Sequence, residues 1–233
     1  RVADPEHAGV ELRRVLDDPE KRRRSVGKGV RGVGVGVAQG GGDGDVDRDR
    51  CRRRRDAAVA GEGENARLSA QKRRALDGSA ADALRDQAAT YNLKTDRIVA
   101  FGHSAGSHLA LWLAGRHNLP ASSPLRMNNP LKITGVVNSG GLADLKASAP
   151  VTQPECLSRI MGKLTGEVSS TRSNVFSDTS PVELLPLGAR QVSVNGHRDL
   201  IAPQVLGEGY TRKAKAAGDN AERIRSEAAF AHL

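Results

Sequence analysis

From about residue 80 onward, apolar and polar positions alternate between the spacing of strands and the spacing of helices. Short apolar runs predict buried strands at 98–101, 131–138 and 191–195, with a short last strand near Ile224. Periodic apolar positions predict helices over 81–91, 106–115, 157–164 and 205–217. Strands that alternate with helices predict an α/β fold with a mostly parallel sheet and right-handed crossovers.

The chain before residue 80 has a different character. The first aromatic residue of the whole chain is Tyr91, so this part contains none. Arginine-rich and glycine-rich runs fill much of 17–75. A stretch without aromatic and large aliphatic side chains contributes little to a packed core. Glycines alternate with valines over 33–37, which predicts one weak strand. We therefore divide the chain into a low-complexity basic segment, 1–79, and a folded domain, 80–233.

Most of the positive charge lies in the first segment. Residues 1–75 carry 19 basic and 13 acidic residues, which is +6 of the formal net charge of +9. This segment is open to three interpretations: a basic arm for nucleic acid or membrane, a degenerate N-terminal half of the domain, or a wrong-frame translation of GC-rich DNA. The abrupt change in composition near residue 80 favours the last two.

Cysteine content and hydropathy indicate the expected compartment. The two cysteines, Cys51 and Cys156, form no metal-binding or redox pattern. We expect both to be free thiols in a reducing environment. The sequence contains neither an apolar run of 18 residues nor a secretory signal. We therefore expect a cytoplasmic protein without a membrane partner.

The most informative motif is Gly102-His103-Ser104-Ala105-Gly106, which follows the predicted strand at 98–101 and opens a predicted helix. This is the G-x-S-x-G pattern of a nucleophile elbow. Glycines at both ends allow a strand and a helix to pack closely around a sharp turn. We predict that Ser104 lies at the tip of that turn as a nucleophile.

A serine nucleophile needs a base, and the base needs an orienting carboxylate. Asp199 lies just past the predicted strand at 191–195, where catalytic groups of parallel sheets are found. His232 is the only histidine after it. The spacing from Asp199 to His232 leaves room for one helix and one strand. We predict that Asp199 is the acid and His232 the base.

From about residue 81 to 233 the chain resembles the α/β-hydrolase superfamily, in particular esterase/lipase-like members related to kynurenine formamidase and carboxylesterases. The resemblance is carried by the segments 96–106, 108–110, 180–181, 185–186 and 196–203. The order Ser104, Asp199, His232 is the nucleophile–acid–base order of this fold. The resemblance implies that these residues form the triad and that the N–H of Ala105 belongs to the oxyanion hole.

The sequence departs from the family pattern at the other oxyanion donor and at its end. Family members carry a His-Gly-Gly-type loop, where this chain has Gln39-Gly40-Gly41-Gly42. Gly41 is therefore the candidate for the second donor. Family members also continue beyond the catalytic histidine, and this continuation supports its loop. We expect an α/β-hydrolase fold whose N-terminal part is degenerate or incomplete.

The sequence thus predicts a serine hydrolase that cleaves a small carboxylic ester or an N-formyl-type amide, with no metal and no organic cofactor. One alternative is a catalytically impaired relic of such an enzyme. The other is a basic nucleic-acid-binding protein that uses residues 21–75. Aromatic side chains for base stacking are absent from those residues. We therefore expect a small-molecule substrate and no nucleic acid.

Overall fold

The structure is a computed structural model that describes residues 34–37, 70–152 and 161–226. Its strands are β1 (Gly34–Val37), β2 (Val99–His103), β3 (Gly135–Ser139), β4 (Arg190–Gly196) and β5 (Ala221–Ser226). Its α-helices are α1 (Ala70–Asp86), α2 (Ala88–Tyr91), α3 (Ala105–Gly115), α4 (Leu145–Ser148) and α5 (Gln204–Ala216), and residues 161–165 are also helical. Short 3-10 helices lie at Arg116–Asn118 and Pro181–Leu184.

The five strands form one parallel sheet in the order β1-β2-β3-β4-β5, which confirms the predicted α/β architecture. Right-handed crossovers between strands in consecutive order place their connections on one face of the sheet. Side-chain burial alternates accordingly. Ala100, Val136 and Gln191 are buried, whereas Val99 and Phe101 are about half exposed. The packed face is therefore the one that carries Ala100.

Two predicted elements begin at other positions than expected. The strand predicted over 131–138 starts only at Gly135, because Ile98 accepts N–H bonds from both Thr134 and Gly135 where β2 and β3 meet. The helix predicted over 81–91 starts at Ala70, and a turn at Gln87 separates α1 from α2. Strong helix formers over 70–76 extend the helix toward the N-terminus.

The basic segment is represented in the structure by β1 and by the start of α1. The valine–glycine alternation forms β1, which pairs in parallel with β2. Helix α1 runs across the compositional boundary between residues 79 and 80. Arg74, near the end of the stretch expected to add little to the core, is only 1% exposed, while most of that stretch lies outside the described residues. Composition missed this contribution because it is made by a polar side chain.

Helix α3 lies at the centre of the domain. Nine of its eleven residues are buried, among them Leu111, Trp112 and Leu113. A helix that is apolar on all sides is buried on all sides. It packs on β2 and β3 below and on the 3-10 turn Pro181–Leu184 above. The residue that immediately precedes α3, Ser104, is therefore attached to a helix that is buried along nearly its whole length.

Two buried ion pairs hold the loops around α3. Arg116 donates to both carboxylate oxygens of Asp82, at 2.6 and 3.0 Å. Arg172 binds Asp178, whose carboxylate also accepts the Ser123 hydroxyl. A buried charge is tolerated only when it is paired and hydrogen-bonded, and both pairs meet this condition.

Arg74 connects α1 to α3 through His108. The guanidinium donates to the His108 Nε2 at 2.9 Å and to the Leu164 carbonyl at 2.7 Å. The other ring nitrogen, Nδ1, then carries the proton and donates to the Leu142 carbonyl at 2.8 Å. Burial and the nearby Arg74 lower the pKa of His108 to about 3, so the ring is neutral near pH 7. His108 is therefore a structural residue.

This histidine predicts an acid-sensitive term in stability. In the unfolded chain its pKa is about 6.5, so only the unfolded state takes up the proton as the pH falls from about 6.5 toward about 3. The contribution is complete above that window and is lost within it, by up to about 1.4 kcal/mol per pH unit. Urea unfolding at pH 7 and pH 5 should show a smaller loss for His108→Gln than for the wild type. Equal losses would contradict the assignment.

Strand β2 and helix α3 approach each other most closely at two glycines. A Cβ on Gly102 would lie 2.2 Å from both the carbonyl carbon and the carbonyl oxygen of Gly106. Carbon atoms cannot approach backbone atoms to that distance without displacing them. The absence of a side chain at Gly102 therefore sets how tightly the turn between strand and helix can close.

We expect Gly102→Ala to destabilise the protein by about 3 kcal/mol or more, the upper range for overpacking, because the clash is with backbone atoms. Gly209→Ala is the matched control. A Cβ on Gly209, inside α5, meets nothing within 4 Å, so alanine should stabilise by about 0.5–1 kcal/mol. Denaturant unfolding of both variants measures these opposite signs. A neutral Gly102→Ala would show that the contact is looser than described.

Candidate active site

Ser104 occupies a strained turn between β2 and α3. Its backbone has φ 55° and ψ −123°, although serine carries a Cβ that disfavours positive φ. Such strain persists only where the surrounding structure imposes it, and it concentrates at functional sites. The side chain is partly exposed at the carboxyl edge of the sheet. The geometry is that of the strand–turn–helix elbow predicted from the sequence.

Hydrogen bonds from β3 and α3 brace the elbow. The N–H of Ser104 donates to the Ser139 carbonyl at 2.9 Å. The buried hydroxyl of Ser107 accepts the N–H of Ser139 at 2.7 Å and donates to the carbonyl of Gly102. The turn is thus tied to the end of the neighbouring strand through both its backbone and the first turn of α3.

Of the two predicted oxyanion donors, the structure describes Ala105 but not Gly41. Ala105 is the first residue of α3, and the first N–H groups of a helix lack partners within the helix. Its N–H therefore belongs to the positive end of the helix dipole, beside Ser104. Gly41 lies outside the described residues.

Asp199 lies in the loop that follows β4, where the sequence predicted an acid. It is 2% exposed, and its Oδ1 accepts the N–H groups of Ile201 at 2.9 Å and Ala202 at 2.8 Å. These two bonds fold the loop around the carboxylate and hold its Oδ1 in place.

The same loop is held from outside by two further side chains. Thr152, which follows α4, donates its hydroxyl to the Ile201 carbonyl at 2.8 Å. Asn195, in β4, donates its amide to the Ala202 carbonyl at 3.0 Å. Ile201 and Ala202, whose N–H groups bind Asp199, are therefore also held through their carbonyls.

Ser104 and Asp199 follow strands that are two positions apart in the sheet. Both lie at the carboxyl edge, because β2 and β4 are parallel and β3 lies between them. Two strand spacings amount to about 10 Å. His232 lies outside the described residues, so the structure places two of the three predicted triad residues at one edge.

Three other histidines lie in the described part of the domain outside the core. His103 is exposed, with its Nδ1 at 3.4 Å from the Ser139 hydroxyl. His197 is exposed in the loop before Asp199. His117 lies just past α3, with its Nδ1 at 3.1 Å from the Ala114 carbonyl.

Sequence reasoning missed the residues that brace the site. Ser139 and Asn195 lie at or next to the ends of strands, whereas Ser107 lies in the first turn of α3 and Thr152 lies four residues past α4. A polar residue that closes an apolar strand was the available signal, since that position faces the edge where parallel strands end. The sequence alone could not show what these side chains bind.

Two features are absent from the part of the chain that the structure describes. No group of three or more His, Cys, Asp or Glu side chains there is placed to hold a metal ion. None of the helices in that part has the length and apolarity needed to cross a lipid bilayer. Cys51 and Cys156 lie outside the described residues.

Comparison with known proteins supports the same fold. A truncated carbohydrate esterase from gut microbiota is similar in structure, with a TM-score of 0.53 and 18% identity over 65% of this chain and 58% of that chain. A lipase/esterase from Lactobacillus plantarum has a TM-score of 0.53 and 16% identity, over 70% of this chain and 59% of that chain. A carboxylesterase from Lactobacillus plantarum WCFS1 has a TM-score of 0.50 and 17% identity, over 64% of this chain and 51% of that chain. No curated protein matches the chain.

The matched part of the chain thus spans between about half and six-tenths of the length of these structures. Their low identity establishes the fold alone. The family profile is more specific, because BD-FAE matches residues 78–203, which is more than half of the chain and includes both Ser104 and Asp199. The chain belongs to the BD-FAE family and is an esterase/lipase-like member of the α/β-hydrolase superfamily.

Proposed function

We propose that this protein is a serine hydrolase that cleaves a small carboxylic ester or an N-formyl-type amide through Ser104, Asp199 and His232. The observation that carries the proposal is the backbone of Ser104, held at φ 55° between two glycines at the carboxyl edge of the sheet. This strained position presents the hydroxyl to a substrate while the helix N-terminus lies beside it.

The proposed reaction is acyl transfer through the serine. Ser104 Oγ attacks the carbonyl carbon while His232 takes the hydroxyl proton, and the carbonyl oxygen becomes an oxyanion. The N–H groups of Ala105 and Gly41 stabilise that oxyanion. The bond to the leaving group then breaks, and the proton on His232 passes to the departing oxygen or nitrogen. Water repeats the sequence on the acyl-enzyme, which releases the acid and restores Ser104.

Asp199 is the orienting acid of this proposal. Its Oδ1 is fixed by the two backbone N–H groups of Ile201 and Ala202. A carboxylate fixed in this way holds an imidazole in one tautomer and stabilises the imidazolium that forms during the attack.

The topology allows His232 to reach the other two residues. Strand β5 is next to β4 and ends at Ser226, six residues before His232. Six residues reach at most about 20 Å, whereas the three strand spacings from β5 to β2 amount to about 14 Å. A histidine on this segment can therefore enter the space between Ser104 and Asp199.

The names of the similar structures favour the ester over the amide as substrate. They are a carbohydrate esterase, a lipase/esterase and a carboxylesterase. A small activated ester such as p-nitrophenyl acetate is therefore the first substrate to test. The arylformamidase-like alternative is tested with an N-formyl aryl amide under the same conditions.

Replacing Ser104 by alanine should abolish covalent labelling by a fluorophosphonate probe, because the probe reacts with an activated serine hydroxyl. Hydrolysis of p-nitrophenyl acetate should fall to the uncatalysed rate. Mass spectrometry of the labelled wild type locates the modified residue. Ser123→Ala is the matched control, since it removes a buried hydroxyl bonded to Asp178. Labelling of Ser104→Ala at the wild-type rate would overturn the assignment.

Replacing Asp199 by asparagine should leave the loop folded and reduce kcat by about 10⁴-fold, the loss that this change causes in another Ser-His-Asp triad. The asparagine oxygen can still accept the two N–H bonds, whereas its NH₂ group favours the wrong imidazole tautomer. Asp144→Asn is the control, because Asp144 also accepts a backbone N–H, from Ala147. Similar kcat values for the two variants would remove Asp199 from the triad.

A further inference from the structure

Asn195 is a buried amide whose hydrogen-bonding capacity is only partly used. It lies near the carboxyl end of β4 and is 1% exposed. Its Nδ2 donates to the Ala202 carbonyl at 3.0 Å. Within the described part of the chain, its Oδ1 has no hydrogen-bond donor. A buried acceptor without a donor typically costs about 1–3 kcal/mol.

The surroundings of Asn195 fix the position of its side chain. A Cβ on Gly207, in the first half of α5, would lie 1.8 Å from the Asn195 Oδ1. Helix α5 therefore closes directly over the amide, and only glycine at 207 permits this approach. The amide can turn little in this space, so its N–H stays aimed at the Ala202 carbonyl.

The bond from Asn195 acts on the same peptide segment that Asp199 holds. The Ala202 N–H donates to the Asp199 Oδ1, and the carbonyl of the same residue accepts the Asn195 amide. Thr152 binds the preceding carbonyl, that of Ile201. Removal of the Asn195 amide would release the Ala202 carbonyl from β4, at the end of the loop that leads into α5.

We propose that Asn195 is a positioning residue of the hydrolase: it fixes the Asp199 loop to β4 and so sets the position of the catalytic carboxylate. This inference rests on the proposed function. It explains why this buried position holds an amide whose oxygen has no donor among the described residues. An apolar side chain would fill the same space without a buried unpaired acceptor, so filling space alone does not require asparagine.

Asn195→Ala tests the proposal, because it removes the donor and the unpaired acceptor together. We expect kcat for p-nitrophenyl acetate to fall about tenfold, with KM changed less than about twofold, since a small displacement of a catalytic group acts on the transition state. Asn195→Leu removes the amide but keeps the number and branching of the side-chain heavy atoms, and it should give the same result. The second variant separates loss of the bond from creation of a cavity.

Tyr210→Phe is the matched control. Tyr210 is on α5, and its hydroxyl donates to the Gln191 Oε1 at 2.6 Å, at the opposite end of β4. This change also removes one buried hydrogen bond between the same strand and helix, but it lies away from Asp199. Its melting temperature should fall at least as far as that of Asn195→Ala, with wild-type kcat.

A second measurement does not depend on catalysis. Hydrogen exchange of the Ile201 and Ala202 amides should be faster in Asn195→Ala than in the wild type and unchanged in Tyr210→Phe. If the wild-type protein neither hydrolyses esters nor labels at Ser104, the proposed function fails, and exchange still tests the loop. Wild-type kcat and wild-type exchange in both Asn195 variants would overturn the inference. A loss of kcat in Tyr210→Phe equal to that in Asn195→Ala would also overturn it.

Discussion

The contact between β2 and α3 at Gly102 and Gly106 is the constraint on which the site depends. Because no side chain separates strand from helix there, the chain reverses direction within the single residue Ser104. The strain in that residue is offset by the burial of α3, whose apolar side chains face the sheet on one side and the 3-10 turn above on the other. A helix exposed on one side could move away and relax the turn. The centrality of α3 therefore keeps Ser104 in its unfavourable backbone conformation.

The hydrogen bonds of the site extend this constraint across the sheet. Ser107 and the backbone of Ser104 connect the elbow to the end of β3. Asn195 and Thr152 connect the Asp199 loop to β4 and to the segment after α4. Because β3 lies between β2 and β4, one continuous set of backbone and side-chain bonds connects Ser104 to the Asp199 loop. Their separation is set by strand spacing, which is among the least variable distances in proteins.

The sequence predicted those features that local rules determine. The order of strands and helices, the glycines around Ser104 and the position of Asp199 after a strand all follow from spacing and backbone preference. The valine–glycine strand was also predicted, although its composition is unusual. The start of α1 and the burial of Arg74 were not predicted, because a buried arginine depends on partners such as His108 and Leu164 that are distant in sequence. Asn195 was also missed, because its amide binds the carbonyl of Ala202 in the loop after β4 and no local pattern shows that contact.

The two edges of the sheet differ in how completely their polar groups are satisfied. At the amino end of β4, Gln191 binds both Tyr210 and Asp219, and Asp219 also accepts two backbone N–H groups. At the carboxyl edge, Ser104 has a positive φ and Asn195 keeps an acceptor without a donor in the described part of the chain. Both features lower stability, and both lie at the edge that carries Ser104 and Asp199. Local departures from the rules of stable folding are expected where a protein positions reactive groups, and the satisfied amino edge provides the stability that allows them.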